Sequence, residues 1–408
     1  MEDTRRVPGR KEDGESYPSP ETNEAQTPAA AFLPFTLPTT LGPMPSTIGI
    51  DYRPALLSSA GIGRSVRELC RGLGVQPHLK IRLFGHSVAR ARRNDPIPVG
   101  TTLHRLPIPG RGLPLLARIG LDGGRLCGGV SVFHLTDYVY PPISSAPTIL
   151  TIHDLAFFAD PEFHGRRQSA HIMQRCRVAA GRAAHIICPT HATAGMVEKH
   201  LGVEPSRITV IPFGCDHVTR APGPALVDEP YILTVGTVEP RKNHLTLLRA
   251  WRSLPDPRPR LIVAGARGWE CSETVQELLD AEANDKLTWL EAPDDAEIYN
   301  LMAHARVLAY PSSLEGFGFP PLEAMSLGTP VLAGDTPALR EVLGDGALLV
   351  APRDVDALRE QLLRVLTDDA LHEELGRKGR IRAAKFTWNA TARMHADVYR
   401  SCANGQRP

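Results

Sequence analysis

Short hydrophobic runs rich in Val, Ile and Leu alternate with amphipathic stretches from Ser46 onwards. The runs are typical of buried parallel strands, whereas "HATAGMVEKHLG" (191–202) has helical spacing and a glycine that stops it. This alternation predicts α/β domains in which helices cover both faces of a parallel sheet. The predicted strands of the first half are "STIGID", "KIRLFG", "VFHLT", "TILTIHD", "HIICPT" and "RITVIPFG", and those of the second half are "YILTVG", "RLIVAG", "LTWLE", "RVLAYPSS", "TPVLAG" and "GALLV".

A proline-rich segment at 221–230 interrupts the alternation, which restarts directly after it. We therefore predict two doubly wound, Rossmann-like domains, residues 46–220 and 231–385, with 221–230 as the linker. Residues 1–45 are polar and proline-rich, and we predict that they form a disordered tail. The last predicted helix covers 386–402.

Composition places the chain among soluble globular proteins, with 42% hydrophobic and 22% charged residues. No apolar run approaches the roughly 18 residues that a membrane span needs, and the first thirty residues lack a secretory signal pattern. The seven cysteines are scattered singly, which fits a reducing compartment and argues against a zinc site. We expect a cytoplasmic protein.

Charge is distributed unevenly between the two halves. Residues 46–220 hold 21 Lys and Arg against 11 Asp and Glu, whereas residues 221–408 hold 21 against 27. This asymmetry predicts that the two halves bind different partners. We expect no nucleic acid among these partners. The basic half suits a lipid-diphosphate acceptor or an anionic membrane surface, and a solvated arginine-rich face explains the same charges equally well.

Ligands of doubly wound sheets bind beyond the carboxyl ends of the strands, so the loops that follow strands carry the candidate site. The loop after the first strand contains Gly61 and Gly63 ahead of a helix, where free amides could meet a phosphate or a sugar. It fails as a nicotinamide fingerprint, because Val66 replaces the third small residue. Glycines used only to turn the chain account for this loop as well.

Two further loops place polar residues directly after strands. His153 and Asp154 follow "TILTI" and should point into the crevice, although a purely structural histidine is the alternative. Arg241 and Lys242 lie shortly after "YILTV", near the start of the next helix. Two cations there oppose the helix dipole, so a bound anion explains their position better than chance does.

The stretch "EGFGFPPLEAMSLG" carries two glutamates, Glu315 and Glu323, on either side of a predicted helix start. Gly316 and Gly318 precede that start and Pro320 marks the first turn, in which Glu323 should also lie. The exposed amides form an anion site, and a carboxylate on each side suits sugar hydroxyl groups. The pattern therefore predicts a nucleotide sugar: a sugar, a phosphate group and a second sugar. Stabilisation of the helix dipole is the alternative role of Glu323.

These motifs together resemble a known family. The E-x7-E pattern of Glu315 and Glu323, with "GTVEPRKN", "TIHD", "VIPFGCD" and "GIGR", is similar to the retaining GT-B glycosyltransferases of the type-4 class, in particular their bacterial mannosyltransferase-like branch. The resemblance runs from about residue 46 to 400. It implies two domains that face each other across a cleft, with the donor on the second domain, the acceptor mostly on the first, and the last helix returning to the first.

The resemblance also implies roles for individual residues. Glu315 and His153 would contact the transferred sugar, Glu323 would bind the ribose, and Lys242 with Arg241 would neutralise the diphosphate. Contacts to sugar and phosphates would come from the loop formed by Gly316, Phe317, Gly318 and Phe319, and Gly63 would add a further donor contact. Many relatives carry arginine where this chain has Thr237, and Arg241 would take over the role of that arginine.

We expect no metal and no cofactor beyond the donor, since Lys242 and Arg241 can replace a divalent ion. The "DVD" string at 354–356 opens a helix and is typical of a cap. The predicted activity is transfer of a hexose, with GDP-mannose as the favoured donor, to a glycan or lipid-linked acceptor in polysaccharide or glycolipid synthesis, at or near the inner face of a membrane. Alternatives are a sugar-nucleotide epimerase, a phosphorylase or a non-catalytic nucleotide-sugar-binding module.

Overall fold

A computed structural model describes residues 46–58, 61–87, 96–159, 166–218 and 223–408, without the side chains of residues 111, 159 and 166–169. The predicted tail lies outside the described residues. Two separate parallel sheets dominate the structure, one in each half of the chain. The predicted fold class, two Rossmann-like parallel-sheet domains with helices, is confirmed.

The first sheet has seven parallel strands in the order β3-β2-β1-β4-β5-β6-β7. Its strands are β1 (Ser46–Asp51), β2 (Leu79–His86), β3 (Thr101–Leu106), β4 (Val132–Leu135), β5 (Thr148–Thr151), β6 (His185–Cys188) and β7 (Ile208–Val210). The helices are α1 (Arg53–Leu57), α2 (Gly61–Gly74), α3 (Leu113–Arg118), α4 (Gly123–Leu126), α5 (Ala156–Ala159), α6 (Arg166–Arg182) and α7 (His191–Leu201). Central strands β4, β5 and β6 are buried along their whole length, as expected for a sheet covered on both faces.

The second sheet has six parallel strands in the order β10-β9-β8-β11-β12-β13. Its strands are β8 (Tyr231–Val235), β9 (Arg260–Ala264), β10 (Leu287–Leu290), β11 (Val307–Tyr310), β12 (Val331–Gly334) and β13 (Leu348–Val350). The helices are α8 (His244–Arg252), α9 (Ser272–Asn284), α10 (Asp295–His304), α11 (Phe319–Leu327), α12 (Pro337–Leu343), α13 (Val355–Thr367), α14 (Asp369–Ala383) and α15 (Trp388–Ala403). Asp354 caps α13 through a 2.9 Å hydrogen bond from the Ala357 N–H, as the "DVD" string predicted.

Sequence patterning missed one strand of the first sheet. Edge strand β3 reads "TTLHRL", and none of its residues is fully buried. It therefore lacks the continuous apolar run that marks the central strands of a parallel sheet.

Strand order creates a topological switch point in each sheet. β1 lies between β2 and β4 in the first sheet, and β8 lies between β9 and β11 in the second. After β1 the chain continues on one side of the first sheet, and after β4 it continues on the other side. The same holds for β8 and β11 in the second sheet. A crevice therefore opens beyond the carboxyl ends of each pair of neighbouring strands. The loops after β1 and β4, and those after β8 and β11, are thereby brought together in pairs.

The last helix packs on the first domain although it follows the second in the chain. α15 contacts α2, β1 and β4. The Tyr399 hydroxyl lies 2.7 Å from His134 Nδ1, and Thr391 Oγ1 donates to the Pro212 carbonyl over 2.7 Å. Both contacts tie buried side chains of α15 to the carboxyl half of the first domain.

An apolar cluster continues from one domain into the other. Phe213, which follows β7, stacks on Phe319 at 5.4 Å between ring centroids, and Phe319 stacks in turn on Trp388 at 6.2 Å. Glu341 of α12 accepts the backbone N–H groups of His191 and Ala192 at the start of α7. A carboxylate of one domain therefore caps a helix of the other, and the two domains are in direct contact.

The helices of the described part of the chain include none that is both long and apolar enough to cross a bilayer. All seven cysteines are buried thiols without a disulfide partner.

Candidate active site

The loops that follow β8 and β11 are bound to each other at the switch point of the second sheet. The Ser313 N–H donates to the Arg241 carbonyl over 2.8 Å, and Ser312 Oγ lies 3.1 Å from the same carbonyl oxygen. Asn243 Nδ2 adds a 3.1 Å hydrogen bond to the Pro311 carbonyl. These contacts place the cations of one loop against the carboxylate of the other.

Glu315 is surrounded by donors. Its Oε1 lies 2.6 Å from Lys242 Nζ and accepts from Ser312 Oγ and from the Tyr310 hydroxyl over 2.7 and 2.9 Å. Its Oε2 lies 3.0 Å from Arg241 Nη1. The structure therefore brings together three of the predicted site residues, Arg241, Lys242 and Glu315, in one buried cluster.

The charge state of this cluster follows from its burial and its partners. Burial by itself raises the pKa of Glu315, but the positive charges of Lys242 and Arg241 outweigh it and lower that pKa to about 2. The same carboxylate, together with Glu239, raises the pKa of Arg241 against the effect of burial. Burial and the Arg241 charge lower the pKa of Lys242, and the charges of Glu315 and Glu239 act in the opposite direction. Glu315 is therefore an anion at neutral pH and is paired with both basic side chains.

Glu239 is a member of the cluster that the sequence reasoning did not assign. Its Oε1 lies 2.6 Å from Arg241 Nε, on the side of the guanidinium away from Glu315. Burial raises its pKa, although the charges of Arg241 and Lys242 act in the opposite direction. The sequence contained a signal for Glu239, because "EPRKN" places an acidic residue two positions before the first cation. Arg241 is thus held between two carboxylates.

The glycine loop before α11 lies against the first domain. A Cβ added at Gly316 would come within 1.7 Å of the His153 carbonyl oxygen, and the Gly316 carbonyl accepts from Thr190 Oγ1 over 2.9 Å. Gly318 has a φ of 95°, which favours glycine. The N–H groups of Gly316, Phe317 and Gly318 meet no acceptor within the described part of the chain. Their amides remain available to an anion.

The side chains of Phe317 and Phe319 point away from these free amides and into the apolar cluster between the domains. Phe317 meets Phe213 and Phe386 edge-on at 5.3 and 5.9 Å. Their rings therefore anchor the loop, and only their backbone groups can serve the predicted contacts with a donor.

His153 faces the same interface from the first domain. Its Nε2 lies 2.9 Å from the Thr136 carbonyl, so Nε2 carries the proton and donates. The ring stacks on Phe213 at 5.6 Å, and burial lowers its pKa despite the acidic neighbours Asp137 and Asp154. The lone pair of a neutral His153 is thus on Nδ1.

Glu323 forms a second buried carboxylate site. α11 begins at Phe319, so Glu323 lies in the second turn, and the prediction that it belongs to the first turn is wrong. Its Oε1 accepts from Arg64 Nη1 over 2.5 Å and from His217 Nε2 over 2.9 Å. His217 can donate there because its Nδ1 accepts from Trp388 Nε1 over 3.0 Å. Arg64 belongs to α2, so this ion pair joins the two domains.

The predicted donor contact of Gly63 stays a prediction, and the structure shows a packing reason for glycine at this position. A Cβ at Gly63 would lie 2.2 Å from the Ser58 carbonyl oxygen and 2.9 Å from that of Pro54. The close packing of α2 on the carbonyls at the end of α1 therefore requires glycine at this position. Arg64, the next residue of α2, reaches the second domain through its ion pair with Glu323.

No group of three His, Cys, Asp or Glu side chains converges as a metal site in the residues that the structure describes.

The family of the chain follows from its similarity to known proteins. Residues 59–219 match Glycosyltransferase Family 4, and residues 219–382 match Glycosyl transferases group 1. The chain is 30% identical to O-antigen chain mannosyltransferase B of Escherichia coli over 283 residues, which are 66% of this chain and 74% of that protein. The protein is a GT-B glycosyltransferase. Within that class, it belongs to the bacterial mannosyltransferase branch.

Two solved structures share the fold over most of the chain. Sucrose-phosphate synthase from Thermosynechococcus elongatus superposes with a TM-score of 0.69 at 21% identity, covering 88% of this chain and 100% of that one. HepE from Anabaena, in complex with UDP and glucose, superposes with a TM-score of 0.66 at 15% identity and the same coverage.

We predict that Gly316→Ala separates the two domains locally, because the new methyl group overlaps the His153 carbonyl. A loss of roughly 1–3 kcal/mol in the free energy of unfolding is expected from such overpacking, together with a loss of transferase activity. Urea unfolding and an activity assay measure the two effects.

Gly195→Ala is the matched control, since Gly195 lies in α7 with nothing within 4 Å of an added Cβ. This change should leave the stability unchanged or raise it slightly. Equal stability of the two variants would contradict the close approach described here.

Proposed function

We propose that this glycosyltransferase is a retaining enzyme that moves a hexose, with mannose favoured, from a nucleotide-diphosphate sugar to a glycan or lipid-linked acceptor. The observation that carries the proposal is the buried group of Lys242, Arg241 and Glu315, which lies at the switch point of the second sheet beside the free amides of Gly316 and Gly318. Two fixed cations and a helix start provide the positive field that a leaving diphosphate needs.

The chemistry follows from the charges. The anomeric carbon–oxygen bond to the diphosphate breaks, the acceptor oxygen bonds to the same carbon, and the proton of the acceptor hydroxyl is released. Negative charge grows on the departing diphosphate, and Lys242 with Arg241 stabilises it most in the transition state. Glu315 is an anion with a pKa of about 2, so it can face the positive charge that develops on the sugar.

The nucleotide and the sugar are proposed from relatives. The similar protein of Escherichia coli is an O-antigen chain mannosyltransferase, which supports mannose and a role in polysaccharide synthesis. HepE, with UDP and glucose bound, supports a nucleotide-sugar donor. A panel of GDP-, UDP-, ADP- and dTDP-sugars, screened for thermal stabilisation and slow hydrolysis, tests the donor, and GDP-mannose is expected to give the largest effect.

The same panel separates the alternative functions. A non-catalytic binding module would be stabilised by a nucleotide sugar without releasing nucleoside diphosphate. An epimerase would convert the sugar with the diphosphate still attached. Release of nucleoside diphosphate that depends on an acceptor supports the transferase.

We predict that the two glutamates affect different kinetic constants. Glu315→Ala should lower kcat by on the order of a hundredfold with nucleoside diphosphate affinity nearly normal, because Lys242 and the loop amides remain. Glu323→Ala should mainly raise the donor KM, through loss of about 1.5–3 kcal/mol for a charged hydrogen bond to the ribose. Steady-state kinetics and nucleotide titration measure both changes.

Arg64→Gln is the control for Glu323, because it breaks the same interdomain ion pair and leaves the glutamate in place. An equal rise of the donor KM in Arg64→Gln would assign the effect to domain contact instead of ribose binding. Unchanged kcat at saturation in Glu315→Ala, with nucleotide binding abolished, would refute the proposed division of roles.

We predict that activity survives an excess of chelator, because Lys242 and Arg241 supply the positive charge at the diphosphate. Initial rates in EDTA, before and after addition of Mg²⁺ or Mn²⁺, provide the measurement. Complete loss in EDTA that either ion restores would rule out the proposed metal-free site.

A basic and apolar surface supports the proposed contact with an anionic membrane. In and after α3, the side chains of Leu115 and Ile119 are 65% and 71% exposed, and exposed Arg118 lies between them. Exposed apolar side chains next to a cation are typical of surfaces that bind anionic lipid. Arg166 and Arg167 also belong to the basic half, but their side chains lie outside the described residues.

We predict that Leu115→Asp combined with Ile119→Asp weakens binding to vesicles of anionic phospholipid. Burial of each apolar side chain is worth about 1.5–3 kcal/mol, and the added charges oppose the lipid headgroups. Co-sedimentation with these vesicles at low salt measures the binding. Ile381→Asp is the control, because Ile381 is 54% exposed on α14 of the other domain. Failure of the unaltered protein to bind such vesicles would exclude this surface as a membrane contact.

A further inference from the structure

A small cavity lies inside the first domain, where the last helix meets the carboxyl ends of β4 and β5. Its volume is about 10 Å³. We call it the histidine cavity, because three histidines belong to its walls. The polar residues that line it are Ser65, His134, Thr136, Thr151, His153 and His395. His395 belongs to α15, so the returning helix forms one wall of this polar space.

His395 brings an unused acceptor to the histidine cavity. Its side chain is 0% exposed, and its Nδ1 lies 2.8 Å from the Thr391 carbonyl, an oxygen that can only accept. Burial lowers the pKa of His395 to about 4, so the ring is neutral and carries its one proton on Nδ1. Its Nε2 finds no hydrogen-bond partner among the residues that the structure describes. Buried polar atoms in native proteins are nearly always hydrogen-bonded, so this lone pair calls for a donor.

A chain of buried groups directs a donor towards the same cavity. The Tyr399 hydroxyl lies 2.7 Å from His134 Nδ1 and has no other hydrogen-bond partner in the described part of the chain, so it donates to that nitrogen. Burial lowers the pKa of His134, and the neutral ring then carries its proton on Nε2, which lies 2.7 Å from Thr151 Oγ1. Because Thr151 Oγ1 accepts from His134, the hydrogen of the Thr151 hydroxyl remains to be donated.

Two other hydroxyl groups in the walls supply acceptors. Ser65 Oγ donates to the Ile62 carbonyl over 2.8 Å, and Thr136 Oγ1 donates to the Asp51 carbonyl over 2.8 Å. With their hydrogens used in this way, both oxygens keep lone pairs. The histidine cavity thus combines one donor with three acceptors. A neutral molecule that both accepts and donates, and that fits this volume, is water.

We propose that the histidine cavity binds one ordered water molecule, which accepts from the Thr151 hydroxyl and donates to His395 Nε2 and to the hydroxyl oxygen of Ser65 or Thr136. A buried water needs a space of about 10–15 Å³ and roughly two to four polar partners. The cavity reaches the lower limit of the first requirement and meets the second.

The water makes His395 a positioning residue for His153. Thr151 ends β5 two residues before His153, and the Thr136 carbonyl accepts the proton of His153 Nε2. Fixing Thr151 and Thr136 from below therefore fixes the loop that carries His153. This positioning role rests on the proposed reaction of the transferred sugar at His153, whereas the water site itself does not.

A high-resolution crystal structure of the full chain tests the site directly. We expect a water oxygen about 2.7–3.2 Å from His395 Nε2, with Thr151 Oγ1 as a second partner. The same experiment on His395→Phe, which keeps a ring and removes both nitrogens, should show no water at this position.

Thr151→Val is the second variant, because it is isosteric and removes only the hydroxyl group. Thr209→Val is its matched control: Thr209 Oγ1 lies 2.8 Å from His185 Nε2 in the same sheet, as Thr151 Oγ1 lies 2.7 Å from His134 Nε2. Each change removes a hydroxyl group bonded to a histidine, but Thr209 is not among the residues that line the histidine cavity. Thr151→Val keeps the test valid if His395→Phe fails to fold.

Two measurements follow the effect on His153. Hydrogen exchange of the backbone at 152–158 should be faster in Thr151→Val and His395→Phe than in the parent protein and in Thr209→Val, and it needs no donor. With GDP-mannose as donor, kcat should fall by about tenfold in the same two variants while the donor KM and the affinity for GDP stay nearly unchanged. His395→Gln, which retains a side-chain acceptor, should restore most of the kcat.

Three results would overturn the proposal: a crystal structure in which a protein group occupies His395 Nε2, equal changes in Thr151→Val and Thr209→Val, or loop exchange in Thr151→Val that matches the parent protein. A bound water and faster loop exchange in Thr151→Val, without any transfer from nucleotide sugars, would retain the water and its support of the loop and would reject the proposed reaction.

Discussion

Burial of a carboxylate costs several kcal/mol unless cations and hydrogen-bond donors surround it, and the contact between the two domains contains two such carboxylates. Glu315 obtains its cations from its own domain, where the switch point of the second sheet brings Lys242 and Arg241 to it. Glu323 obtains Arg64 from the other domain. The first glutamate therefore organises the site within a domain, and the second makes the site depend on how the domains meet.

Glycine governs how closely the two sheets approach each other. The loop before α11 carries the amides proposed to face an anion. The rings of Phe317 and Phe319, at the end of this loop, are anchored in the apolar cluster. This anchoring fixes the loop without using its backbone donors. The contact with the His153 carbonyl then leaves room for hydrogen alone at Gly316. Packing on one side of the loop thus preserves hydrogen-bonding capacity on the other, as a preorganised electrostatic site requires.

The sequence was sufficient for the buried strands and for residues that directly follow them, since apolar runs and strand ends leave local patterns. Edge strand β3 was not predicted, because its exposed side chains break that pattern. The contacts of Arg64 and His217 with Glu323 were not predicted for another reason: each pair is separated by more than 100 positions of sequence. Pairings between domains are set by packing and leave no local signal.

The return of α15 to the first domain has a consequence for how the chain is completed during synthesis. Trp388, His395 and Tyr399 belong to the core beside α2 and β4, yet they follow every strand of the second domain. A ribosome releases the strands of the first domain early, but that domain lacks part of its interior until the last helix emerges. The second domain can close first. The order in which the domains are made is therefore the reverse of the order in which their cores can be completed.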